Sequence, residues 1–192
     1  MPSLAEFRPA FSLLAPVFRG TCHSMVCGSS ALAWMLADSG IEIYPDDIDA
    51  VALTDPEFEL LVGRLRLAAR AGQYQFDAAC PDGWAHVPGE LARRAAGRLL
   101  LPHTTVPFEL FDARSRFIGR AVTGEVARGA GIVSIAVAAG LDLPFAGPAT
   151  LRRINDNLIQ EHHRRANPFG SPSSGDLEKR RRWGRYLDLL AS

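Results

Sequence analysis

Seven consecutive apolar residues, Ala31 to Ala37, constrain this chain more than any other feature; they follow directly on Cys27-Gly28-Ser29-Ser30. A helix that is apolar on every face has to be enclosed by the rest of the fold. The pattern predicts a helix over 29–39, with Ser29 and Ser30 as N-caps and Gly40 as a left-handed C-cap that turns the chain at Ile41. Cys27 and Gly28 stand just ahead of it. A thiol there lies at the positive end of the helix dipole, beside unpaired N–H groups, so the expectation is a thiolate favoured by a lowered pKa.

With 192 residues the chain suits one domain spanning 1–192 that buries a core without covalent staples, and it shows no internal repeat. Its 21 basic and 21 acidic residues cancel, which gives no global electrostatic argument for nucleic acid or for an anionic membrane. Three cysteines, an odd number, point to a reduced setting and hence to the cytoplasm. The N-terminal twenty residues carry Glu6, Arg8, Pro9 and Pro16 and make a poor secretory signal, although export by a route that reads no such signal stays open. The longest apolar segment, 129 to 140, is too short to span a bilayer.

In chain order, residues 3–18 suggest a short helix broken by Pro9 and Pro16 and lying over the core. Tyr44 and Pro45 with Asp46 and Asp47 read as a turn and an acidic helix start. Thr54, Pro56 and Glu57 combine a cap, an early proline and an acid three residues on, and Phe58, Leu61, Val62, Leu65 and Ala68 recur at helical spacing up to Gly72. Residues 73–88 are a turn-rich loop with Cys80, Trp84 and His86, and 88–96 suggest a short helix. Strand formers in 99–111 are interrupted by Pro102 and Pro107, which allows only edge or short strands. A helix over 115–128 follows, then a buried segment over 131–139 that periodicity leaves open between strand and helix, the β-branched residues favouring strand, and a helix from Gly147 with Leu151, Ile154, Leu158 and Ile159 on one face. A linker-like loop, 167–175, precedes a C-terminal helix from Asp176 with Trp183, Leu187 and Leu190 inward. Adjacent His162 and His163 point about 100 degrees apart on their helix and do not share an ion. The arginine clusters of the C-terminal quarter read as solvated helix faces.

A cysteine nucleophile needs a histidine in hydrogen-bond reach and a third group to orient the ring. The segment Val26 to Gly40 resembles the nucleophile helix of bacteriocin-processing cysteine peptidases and related papain-like proteins, over roughly residues 21 to 41. The resemblance implies Cys27 as nucleophile, with a histidine opening a downstream strand and an acid after it. His103, 76 positions beyond Cys27, and Asp112, nine further on, keep that order. The glutamine that this family places upstream of the cysteine has no counterpart among Thr21, Cys22 and His23. His86 is the alternate base, in an order similar to that of transglutaminases, and Cys22 the alternate nucleophile, in a Cys-His pair that resembles papain-like acyltransferases. A second arrangement is a zinc centre of Cys22, Cys27, Cys80 and His86.

The sequence therefore predicts an α+β single domain, mostly helical, with a small sheet from parts of 98 to 111 and 131 to 138, loosely papain-like. The function expected is a thiol-dependent hydrolase or acyltransferase. In it Cys27 attacks an amide or thioester of a protein, peptide or acyl substrate, without a cofactor, and His103 and Asp112 handle the proton. The alternatives are a non-enzymatic helical binding or effector protein whose cysteines merely pack, and a zinc-stabilised module.

Overall fold

In Thr105–Asp112 every second residue is buried, Val106, Phe108, Leu110 and Asp112, which is the period of a strand with one face in the core. That strand lies inside the sheet around which the chain is built. The computed structural model describes residues 4–115, 131–164 and 174–191. Its elements in order are α1 (Leu4–Phe18), β1 (Ser24–Cys27), α2 (Gly28–Met35), β2 (Ile48–Ala52), α3 (Asp55–Arg70), β3 (Tyr74–Phe76), β4 (Ala85–His86), β5 (Arg93–Leu100), β6 (Thr105–Asp112), β7 (Ile132–Ala138), β8 (Leu141–Ala146), α4 (Pro148–Arg164) and α5 (Ser174–Ala191). The strands run β3-β5-β6-β2-β1-β8-β7, with β4 paired to β5. The sheet is mixed: β2 and β6 are parallel, as are β1 and β8, whereas β1–β2, β5–β6, β3–β5 and β7–β8 are antiparallel.

The α+β class is as expected, and helix outweighs strand; the small sheet is not as expected. Eight strands form one sheet among the described residues. Prolines were the misleading signal. Pro107 is internal, but the β2 ladder begins one residue later at Ile48↔Phe108, so its missing N–H removes no bond from that ladder. Likewise α1 is one continuous helix containing both Pro9 and Pro16. A proline inside a helix costs about 3 kcal/mol or more, whereas each large side chain fully buried contributes about 1.5–3 kcal/mol. Phe7, Phe11, Leu14, Val17 and Phe18 are all buried, and α1 packs against β7 and β8, so burial wins.

Two further helices expected from sequence are absent: 88–91 are turns leading into β5, and the acidic residues 46 and 47 lead into β2. A strand is present in 131–139 as β7, but it lies at the end of the sheet with none of its residues buried, unlike the buried segment expected; the helices from Thr54 and Gly147 are α3 and α4. The helix expected over 115–128 and most of the loop 167–175 lie outside the described residues, as do the side chains of His162 and His163. No helix among the described residues is long and apolar enough to cross a membrane.

The Thr54 signal works differently from a complete capping box. Thr54 Oγ1 accepts from Glu57 N at 3.4 Å, but the Glu57 carboxylate accepts from the backbone N–H groups of Cys22 (2.8 Å) and His23 and from Ser24 Oγ. One acid thus ties the entry of β1 to the start of α3. Close by, Arg93 at the head of β5 donates to Asp55 (2.6 Å), Glu59 and Asp112 (3.0 Å) and lies over the Phe58 ring at 4.3 Å. Arg114 adds a bond to Asp112 at 2.5 Å. Burial pushes the Asp112 carboxyl up, but the bonds from Arg114 and Arg93 outweigh it and hold the pKa below the usual carboxylate range.

Removing Arg93 leaves Asp112, only 2% exposed, without one of its two cations. Arg93→Ala is expected to lower unfolding free energy by about 3–5 kcal/mol, the usual cost of breaking a buried pair by removing one partner. Because the Asp112 pKa is depressed in the folded state, its contribution is present above the unfolded value and lost as pH falls through the folded one. Urea titrations of wild type and variant should therefore differ most at neutral pH and converge in acid.

Candidate functional site

Strand β1 runs straight into α2 at Cys27-Gly28, and Gly28 is the residue that makes this turn possible. Its φ is +71°, a left-handed conformation that other residues avoid. A Cβ at position 28 would also stand 2.5 Å from Asp49 Oδ2. The backbone at the head of α2 is therefore pressed against a carboxylate. Cys27, the N-cap residue, makes no side-chain cap bond, which leaves the first N–H groups of α2, those of Gly28, Ser29 and Ser30, without a side-chain cap from it. Such a helix start attracts anions.

The acid beside it is not alone. In the ladder Cys27 pairs with Asp49, and Asp49 pairs with Glu109 one strand further on. Directly paired residues share a sheet face, so Asp49 and Glu109 project together, and Asp47, in the bend just before β2, lies close enough to act on the Asp49 carboxyl. Burial, then Asp47 and then Glu109 push the Asp49 carboxyl up to about 8, against the opposing charges of Arg180 and Lys179. Burial likewise raises Asp47 and Glu109. Glu109 is held by Arg94 at 3.3 Å.

Asp47 and Asp49 open onto a cleft with an internal volume of ≈ 180 Å³. Its lining combines polar residues, among them Gly28, Ser29, Asp47, Asp49, Lys179 and Arg180, with an apolar set, Leu32, Leu151, Ile154, Leu158, Trp183 and Leu187, from α2, α4 and α5. Lys179 stands 3.4 Å from Asp46 and 5.2 Å over the Trp183 ring. Helices α4 and α5 are joined by Arg152, which donates to Gly184 O at 2.9 Å and pairs with Asp156 and Asp188. This clamp holds the two cations of α5 over the acids.

The residues expected from sequence lie elsewhere. Cys27 is fully buried, and burial, with Asp49 and Asp47 adding to it, pushes its thiol well above the ordinary value, the reverse of the helix-dipole expectation. His103 is exposed in the turn before β6, six residues along from Glu109, the neighbour in register with Asp49 and Cys27. At about 3.3 Å per residue that separation is roughly 20 Å. Asp112 is three residues beyond Glu109, which turns its side chain to the opposite face of the sheet from Cys27, where Arg93 and Arg114 hold it. The structure brings none of the three together. The alternates fare no better: Cys22 is exposed on the approach to β1, and His86 meets the Trp84 ring edge-on at 5.3 Å. Nor does a zinc centre form from Cys22, Cys27, Cys80 and His86. Cys80 is buried with its thiol donating to Arg94 O at 3.6 Å, and among the described residues no group of three or more His, Cys, Asp or Glu could hold a metal ion unaided.

The cleft acids Asp47 and Asp49, and Glu109 in register with Asp49, are not among the site residues expected from sequence. A usable signal exists: Asp47-Ile48-Asp49-Ala50 alternates polar and apolar, the period of a half-buried strand, where Asp46 and Asp47 suggest a helix start.

Two outcomes follow. Gly28→Ala is expected to cost about 1–3 kcal/mol from backbone strain alone, plus the clash with Asp49; in the double variant with Asp49→Ala the clash part should disappear, as a double-mutant cycle by chemical denaturation would show. Asp49, with a folded pKa raised to about 8, binds its proton more tightly folded than unfolded, so stability drops as pH rises from the unfolded carboxylate range, about 4, toward that value. Asp49→Asn should therefore melt at a higher temperature than wild type at pH 9, with the gap closing toward pH 4. A gap independent of pH would contradict the burial of this charge.

No family model matches the chain and no curated protein matches its sequence. Among solved structures it is similar to an antigenic nucleotidyltransferase-like protein from Paracoccidioides brasiliensis, at 15% identity and a TM-score of 0.62, over 98% of this chain and 78% of that one. A match along nearly the whole chain overturns the papain-like resemblance, which rested on residues 21 to 41, and with it the expectation of a thiol-dependent hydrolase or acyltransferase. What the structure keeps of that resemblance is a buried helix opened by Cys27-Gly28. The chain has a nucleotidyltransferase-like fold.

Proposed function

We propose that the chain binds a nucleoside triphosphate in the cleft and transfers its nucleotidyl group to a hydroxyl acceptor. The observation that carries this reading is the close approach of the Gly28 turn to the Asp49 carboxylate, because it sets phosphate-binding N–H groups and acidic oxygens side by side under Lys179 and Arg180. The name of the similar structure favours the same class of chemistry.

The donors present fit a divalent cation. Mg²⁺ is usually bound by one or two carboxylates together with substrate phosphates, not by an all-protein cage. Asp47 and Asp49 offer such oxygens, and their mutual repulsion is relieved by a positive charge. Bound there, Mg²⁺ would neutralise charge developing on the phosphates.

The chain's own residues supply the rest. The N–H groups at the head of α2 hold phosphate oxygens, and Lys179 and Arg180 balance their charge. The acceptor oxygen bonds to the α-phosphorus as the bond from that phosphorus to the pyrophosphate oxygen breaks, and pyrophosphate leaves with the electron pair. Glu109 takes the acceptor proton; its raised pKa suits a group that must hold one.

Incubation with Mg²⁺ and α-labelled triphosphates should release pyrophosphate and label an acceptor. Asp47→Asn and Asp49→Asn should each lower the rate by about 100-fold or more, since even groups one shell removed from a metal cost 10–100-fold. Turnover unchanged in both variants would refute the assignment.

A further inference from the structure

Asn155 on α4 is 4% exposed and lines the cleft between Ile154 and Arg180. Its Nδ2 donates to Arg180 O of α5 at 2.9 Å, which fixes the amide's orientation, because a carbonyl cannot accept from the other end of the amide. The remaining atom, Oδ1, is buried and has no hydrogen-bond partner among the described residues. Buried side-chain oxygens without a partner are uncommon, and each calls for an explanation. Asn155 shares the lining of the cleft with the apolar Leu151, Ile154, Leu158 and Leu187 and with the basic Lys179 and Arg180. A triphosphate held by the polar residues would extend its nucleoside half along the apolar ones.

We propose that Asn155 determines which nucleotide the cleft accepts: Oδ1 receives a hydrogen bond from a donor on the nucleoside half of the ligand, either a sugar hydroxyl or an amino group of the base. The inference rests on the triphosphate reading above. Its physical basis is that a ligand lacking the donor leaves the oxygen desolvated and unpaired, which a site made to receive a donor penalises strongly. The hydrophobic wall contributes area without selectivity. Asn155 is thus a specificity residue, while the Gly28 turn and the carboxylates serve the phosphates whatever the nucleoside.

The test is titration of the full chain, in Mg²⁺, with ATP, 2′-deoxy-ATP, 3′-deoxy-ATP, the triphosphate of unsubstituted purine riboside, and inorganic tripolyphosphate. Loss of at least about tenfold in affinity for one of the three analogues relative to ATP is expected, and which one it is separates sugar from base. Asn155→Leu, which removes the acceptor and extends the apolar wall, should reduce that preference to within about twofold. It should leave tripolyphosphate affinity unchanged. Equal binding of ATP and all three analogues by wild type overturns the proposal without a variant having to fold. A preference that survives Asn155→Leu overturns it too, and in both cases the phosphate site stands. If neither ATP nor tripolyphosphate binds, the triphosphate reading fails and this inference fails with it.

Discussion

The antiparallel pairing of β1 with β2 is the contact on which the arrangement of the site depends. It places Cys27 against Asp49 in register, so the turn at Gly28 opens directly over the Asp49 carboxylate. Only a residue without a Cβ fits, both because φ is positive and because the carboxylate occupies the space. From that contact the rest follows: β6, parallel to β2, adds Glu109 to the same face, and α5 brings two cations across from it.

The sheet keeps its acids apart by function. On one face Asp49 is held among like charges, and burial and neighbours raise its pKa to about 8; on the other Asp112 is held by Arg93 and Arg114, which depress it. The first arrangement costs stability at neutral pH, and the second contributes to it. Uncompensated buried acids facing a cleft are characteristic of sites shaped for binding or chemistry, whereas paired ones are characteristic of structure. The thiol of Cys27 shares the first environment. The charges that suit a cation beside it are what make it a poor nucleophile, since both burial and the adjacent acids oppose a thiolate.

Much of the fold was legible in the residues. Thr54, Pro56 and Glu57 announced α3, the β-branched run from Ile132 announced β7, and the apolar run after Gly28 announced a buried helix, because each is a local pattern whose period or cap chemistry acts within a few residues. Prolines misled where packing outweighed them, as in α1 and β6. Helix α2 is interior, as its apolar run indicates, but the flanking thiol is buried, and the neighbouring glycine is the residue pressed against the Asp49 carboxylate.

The sequence by itself determined that an enclosed helix would follow Cys27-Gly28, that α3 would begin at Thr54, and that enough apolar residues exist to bury a core. Those features depend on neighbours along the chain. Tertiary structure alone decided that Asp49 would face Gly28, that Glu109 would join it from sixty positions away in sequence, and that Asp112 would turn to the opposite side. Register between strands decides such meetings, and a shift of one residue would reverse every face. No stretch of sequence read on its own carries that register, because it is set by the pairing of strands distant in the chain.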